Sequence, residues 1–134
     1  MRTMLKVVNV FPSFSVSDIG QAKSFYGGTL GFEVKEGPMG NLEIITPGGA
    51  HVTAYPKSNH EPASFTILNL IVPDVEAAVD QLTAAGVKIE HYDMPELKTN
   101  EKGIARGEGP DIAWFEDPFG NILSVIQNTP GITD

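Results

Sequence analysis

The chain has 134 residues, of which 41% are hydrophobic, with 17 acidic side chains against 9 basic ones and a formal net charge of −8 at pH 7. That length holds one domain with a proper core and is too short for two ordinary ones. The acidic balance, with no basic run, argues against nucleic acid or an anionic membrane as a partner, since either would be repelled. There is no cysteine, which removes disulfides, thiolate metal sites and thiol nucleophiles. No apolar stretch approaches the ~20 residues needed to span a bilayer. The N-terminus MRTMLKVVNVF runs directly into a strand pattern instead of a signal peptide's apolar core. A cytoplasmic location is the expectation.

Val7 to Val16 reads as a half-buried strand, with Phe11, Ser13 and Ser15 on one face and Phe14 and Val16 on the other. Asp18 stands where a helix N-cap belongs, with Gln21 three residues on, and Ile19, Ala22, Phe25, Tyr26 and Leu30 form an apolar stripe at helical spacing. Gly31 ends that helix as a left-handed cap. Three short strands follow, near Phe32 to Lys35, Leu42 to Thr46 and His51 to Tyr55, separated by Gly37-Pro38 and Pro47-Gly48-Gly49 turns. Pro56 to Ala63 is polar and carries two prolines, as a linker does.

A second unit of the same kind begins at Phe65. Phe65 to Val72 is a strand, Asp74 caps a helix with Val75, Ala78, Val79, Leu82 and Ala85 on one face, and Gly86 closes it. Val87 to Asp93 reads as the next strand, and Met94 to Pro110 as a long irregular loop of the length that is usually either functional or mobile. Asp111 to Phe115 and Asn121 to Ile126 form a hairpin across Asp117-Pro118-Phe119-Gly120. Phe14 to Phe32 is thus echoed by Leu70 to Val87. Val16 and Val72 lie 56 residues apart, and Gly31 and Gly86 lie 55 apart. One period of this length predicts two paired modules, not a solenoid. The organisation expected is a single domain over 1–134, with module one at 4–57, a linker at 58–63, module two at 64–128 and a C-terminal tail at 129–134. The cleft between two such modules is the natural place for a ligand.

A tandem βαβββ duplication carrying V-S-D-I, F-Y-x-x-x-L-G-F, A-A-G-V and D-P-F-G-N resembles the vicinal oxygen chelate superfamily, which includes glyoxalase I, bleomycin-resistance proteins and extradiol dioxygenases. The resemblance covers nearly the whole chain. It implies an α+β fold whose two modules form an incompletely closed mixed sheet around a cavity, commonly in a homodimer. It also implies, for metal-dependent members, four His or Glu ligands at equivalent strand positions. Here those positions carry Phe11, Thr53, Ile67 and Ser124. Apolar and neutral hydroxyl side chains do not supply the donors that a divalent ion needs, so no metal and no cofactor are expected.

The same positions suit an organic ligand. Phe11, Ile67 and Ile122 offer apolar contact, while Ser13, Ser15, Asn69 and Ser124 can orient polar groups. His51 shares a strand face with Thr53 and Tyr55; Arg106, in the long loop, can grip a carboxylate or phosphate, and Trp114 can supply a stacking wall. An unconventional metal site could be built from His51 or His91 with Glu90 or Asp93; His91 beside Glu90 could also form an acid/base pair, which is weakened because adjacent strand residues point to opposite faces. The serines show no identifiable base in the sequence. Three function classes follow: a metal-free binding protein of the bleomycin-resistance kind, a metal-dependent lyase, isomerase or dioxygenase with displaced ligands, and a structural or regulatory dimer.

Overall fold

A computed structural model describes residues 4–107 and 109–132. The last two residues of the expected tail lie outside this range, as do Met1 to Thr3 and Glu108. The chain divides into two units, Met1–His60 and Glu61–Asp134. Each is a βαβββ module built on a four-stranded mixed sheet, so the fold is α+β, and neither sheet closes into a barrel.

In the first unit, β1 (Ser13–Val16) runs parallel to β4 (His51–Pro56), and β3 (Leu42–Ile45) and β2 (Glu33–Glu36) continue the sheet antiparallel in the order β1-β4-β3-β2. Asp18 caps α1 (Ile19–Lys23) by accepting from the Gln21 N–H at 2.9 Å. The expected single helix changes winding at Ser24 and continues as a π-turn over Ser24–Thr29, in which the Leu30 N–H donates to the Phe25 carbonyl. Gly27 and Gly28 tolerate that widening. It lets the adjacent Phe25 and Tyr26 both enter the core, where Tyr26 packs on Phe14 at 5.5 Å and on Phe25 at 5.1 Å between ring centroids. Val16, Leu42, Ile44, Val52 and Ala54 complete this layer.

One expectation fails at the start of the chain. The strand expected from Val7 is confined to Ser13–Val16, because β1 is an edge strand whose partner among the described residues begins at His51 and pairs Thr53 with Ser13. Residues before Phe11 run past that partner, and Pro12 has no N–H to give. Phe11 therefore lies ahead of the strand and is 62% exposed.

In the second unit, β5 (Thr66–Val72) is parallel to β10 (Ile122–Gln127), which pairs antiparallel with β9 (Ile112–Glu116) and then β8 (Ile104–Ala105). Asp74 caps α2 (Val75–Ala84), and Gly86, with φ +83°, stops it while the Val87 N–H returns to the Leu82 carbonyl at 3.0 Å. Val75, Val79 and Leu82 are buried, as are Ala113, Phe115, Leu123 and Val125 on the sheet. The strand expected over Val87 to Asp93 reduces to one bridge, Ile89 to Phe115. The loop from Met94 is less irregular than expected. Asp93–Met94 (β6) and Leu97–Lys98 (β7) form a hairpin, and Ile104–Ala105 joins the sheet.

The D-P-F-G-N stretch is a tied turn. Asp117, 4% exposed, accepts from the Phe119 and Asn121 N–H groups at 2.9 Å through Oδ1 and from Asn121 Nδ2 at 3.0 Å through Oδ2. The Asn121 carbonyl oxygen Oδ1 in turn accepts from the Ala63 N–H, so the turn also holds the chain entering β5. Among the described residues no helix is long and apolar enough to cross a membrane.

Candidate functional site

Each sheet has one face covered by its helix and one face that the helix leaves open. Strand alternation puts Ser13 and Ser15 of β1, His51, Thr53 and Tyr55 of β4, and Glu43 of β3 on the open side of the first sheet. The register pairs Ser13 with Thr53, Ser15 with Tyr55, and Thr53 with Glu43. The Thr53 hydroxyl, buried, donates to Glu43 Oε2 at 3.2 Å. Gly37 allows this carboxylate its position, since a Cβ there would sit 3.0 Å from Glu43 Cγ. Two concavities of about 340 and 520 Å³ share Phe11, Glu43 and His51, and the larger also reaches Lys35, Asn41 and Thr53. Phe11, His51 and Thr53 are therefore gathered around one depression, together with Glu43, which the alternating pattern of β3 alone presents as a solvated charge.

Ser15 does have a basic neighbour, contrary to the reading of the sequence. Its Oγ lies 2.6 Å from His60 Nδ1, a hydrogen bond whose direction follows the imidazole tautomer. His60 comes from the linker, 45 residues on, and no local spacing signals such a pairing.

On the second sheet, Asn69, Ser124 and Trp114 occupy consecutive strands of one lateral row: Asn69 pairs with Ser124 and Ser124 with Trp114. The fully buried Ser124 hydroxyl donates to Asn69 Oδ1 at 2.6 Å. Ile122 shares this face, two residues from Ser124. Ile67 falls at the irregularity where Thr66 pairs with Ile122 and Leu68 with Leu123, leaving it without a direct partner on β10. Tyr92 meets Trp114 edge to face at 5.5 Å.

The bridge at Ile89 extends the row beyond β9. The Glu90 N–H donates to the Trp114 carbonyl at 2.8 Å and the Glu116 N–H to the Lys88 carbonyl at 3.0 Å, which sets Glu90 beside Trp114 and Lys88 beside Glu116 on the open face. Lys88 Nζ is 3.1 Å from Glu116 Oε2. A side-chain hydrogen bond with Glu116, then burial and the nearby negative charge, push the Glu90 carboxyl up to about 6. Glu116 is held below the usual range by that same bond and by Lys88, and burial raises Tyr92. As expected from their adjacency, Glu90 and His91 part company: His91 lines a separate concavity of about 410 Å³ beside α2, with Val79, Asp80 and Lys102.

Arg106 is held by its own chain. Its NH2 lies 3.0 Å from Glu76 Oε1 and its Nε 3.1 Å from Asp111 Oδ2, while Lys102 bonds both Glu76 and Asp80 at 3.1 Å. These exposed pairs lash the long loop to α2. Hydrogen bonds from the two cations hold Glu76 below its ordinary range, and the carboxylates raise Lys102 and Arg106.

The residues at the four strand positions where the resemblance implies metal ligands do not fit a divalent ion. Phe11 and Ile67 have no donor atom, and the hydroxyls of Thr53 and Ser124 donate to Glu43 and Asn69. Among the described residues no group of three or more His, Asp or Glu side chains is placed to hold a metal.

No curated protein matches this chain in sequence. Among solved structures, a member of the Glyoxalase/bleomycin resistance protein/dioxygenase superfamily from Sphaerobacter thermophilus is 26% identical, with a TM-score of 0.64 over 90% of this chain and 98% of that one. TnmS3, an antibiotic binding protein from Streptomyces sp. CB03234, is 25% identical, with a TM-score of 0.63 over 93% of this chain and 100% of that one. The genomically encoded fosfomycin resistance protein FosX from Listeria monocytogenes shares the fold at 14% identity, with a TM-score of 0.66 over 95% of this chain and 97% of that one. The sequence profile of the Glyoxalase/Bleomycin resistance protein/Dioxygenase superfamily matches residues 8–125, and the chain belongs to that family.

Proposed function

We propose that this protein binds a small organic ligand on the open faces of its sheets without a divalent metal. The observation that carries the reading is the donor set. Where the family resemblance implies ligands stand two hydrocarbon side chains and two hydroxyls engaged with neighbouring residues, while aromatic, amide and hydroxyl groups share the surrounding surface. That mixture suits an amphiphilic molecule, and the likeness to an antibiotic binding protein supports it. Thermal unfolding against a panel of aromatic antibiotics tests it. A true ligand at a hundredfold excess over its Kd stabilises the fold by about 2.7 kcal/mol. Ser124→Leu is expected to reduce that shift relative to the variant's own baseline by crowding the face. Protection by no member of the panel, or equal protection of the Leu variant, counts against the reading.

We further propose that the two modules act as one domain and that the protein is a homodimer. Met4, Leu5, Val7, Val8, Val10 and Phe11 are all more than half exposed, a run of apolar surface of the sort that marks an interface. Sedimentation equilibrium is expected to give a dimer of the 14.4 kDa chain. Removing residues 4–11 should give monomer; a monomeric intact protein overturns the proposal.

A further inference from the structure

We propose that the lateral row Asn69, Ser124, Trp114, Glu90, closed by the Lys88–Glu116 ion pair, is a subsite for an aromatic ligand bearing a basic nitrogen. The inference deepens the small-molecule reading above and rests on it. Three features of the second unit's sheet point to that chemistry. The first is geometry: the row crosses three inter-strand spacings of about 4.8 Å, a span of about 14 Å, with an amide at one end, an indole in the middle and carboxyls at the other. The backbone fixes it at every step, through the Asn69 to Ser124 and Ser124 to Trp114 pairings and the Glu90 N–H on the Trp114 carbonyl.

The second feature is the state of the polar groups. Ser124 donates to Asn69 Oδ1, which leaves the Asn69 amide nitrogen as a donor for a ligand oxygen. At the other end the register sets Glu90 beside Trp114 and Lys88 beside Glu116, and the Glu116 side chain and burial raise the Glu90 carboxyl to about 6. Loss of the Glu90 proton leaves two negative charges near one cation, Lys88, whose Nζ bonds Glu116. The third feature is charge complementarity. The net negative charge left on the trio is answered by a ligand ammonium, which can also lie against the indole of Trp114. The titratable groups facing Glu90 are Glu116 from β9 and Lys88 and Tyr92 from its own segment; β10 presents Ile122 and Ser124, which do not titrate. A bound ammonium is attracted by the ionised carboxylates, so affinity for an amine falls as Glu90 is protonated.

Trp114 is the only tryptophan in the chain, so its single indole N–H resonance reports on the row without ambiguity. The test titrates the protein with 2-naphthylmethylamine and its neutral counterpart 2-naphthylmethanol. At pH 7.5 the amine is expected to move the indole resonance with about tenfold higher affinity than the alcohol, and to lose about tenfold on going to pH 5, as a carboxyl near 6 requires. Glu90→Gln should abolish both the preference for the amine and the pH dependence. Equal binding of the two probes, or tighter amine binding at pH 5, overturns the subsite while leaving ligand binding on this face intact. If neither probe moves the resonance the subsite is also refuted, and the antibiotic panel then decides separately whether the broader reading stands.

Discussion

Asp117→Ala is expected to destabilise the protein by about 3–5 kcal/mol. The substitution removes the acceptor that serves three donors at once: the Phe119 and Asn121 N–H groups and Asn121 Nδ2. Each buried donor left without a partner costs about 1–3 kcal/mol, and the exposed Pro118 beside them admits enough water to keep the total below the simple sum. Asp117→Asn separates the hydrogen bonds from the space they fill. Its one oxygen can still serve the two backbone donors, but its NH2 then faces Asn121 Nδ2. Asn121 cannot turn its amide to relieve that clash without giving up the Ala63 N–H. A loss of about 1–2 kcal/mol follows for the Asn variant. Urea unfolding measures both, and losses under about 0.5 kcal/mol for both would show that the turn is not what ties the second unit together.

Leu82→Ala is expected to cost about 2–5 kcal/mol. Leu82 is 8% exposed, on the face of α2 that also buries Val75 and Val79. α2 packs on β9 and β10, and strands held in a sheet do not collapse into the gap that the lost methyl groups leave. A loss well under 1 kcal/mol, read from the same unfolding curves, would contradict this placement of the helix.

The elements best legible in the sequence are those whose causes are local. Asp18 and Asp74 cap their helices through N–H groups three residues on, and Gly31 and Gly86 take the left-handed conformation that ends each one. Duplication then made the βαβββ order readable from either copy. What the sequence hid depends on partners far along the chain. The strand at Val7 is cut short because β4 begins only at His51. The π-turn reflects the need to bury two adjacent aromatics, which a 3.6-residue stripe does not express. Within the candidate site, Ser124, Asn69 and Trp114 were visible as strand positions. Glu43 is concealed by looking like a solvated charge, the meeting of Ser15 with His60 depends on a linker residue 45 positions on, and that of Glu90 with Glu116 is set by register and not by spacing. Arg106 lies in a charged loop, and its carboxylate partners, Glu76 and Asp111, belong to its own chain.

The most direct test of metal-independent ligand binding is the metal content of the purified protein after dialysis against nickel, zinc, iron and manganese. With Phe11, Thr53, Ile67 and Ser124 at the four positions, no stoichiometric ion should be retained, because a buried cation without charged donors is costly by several kcal/mol or more. One ion retained per chain, and lost on His51→Ala or His91→Ala, would contradict the metal-free reading and make the protein a metal-dependent member of its family.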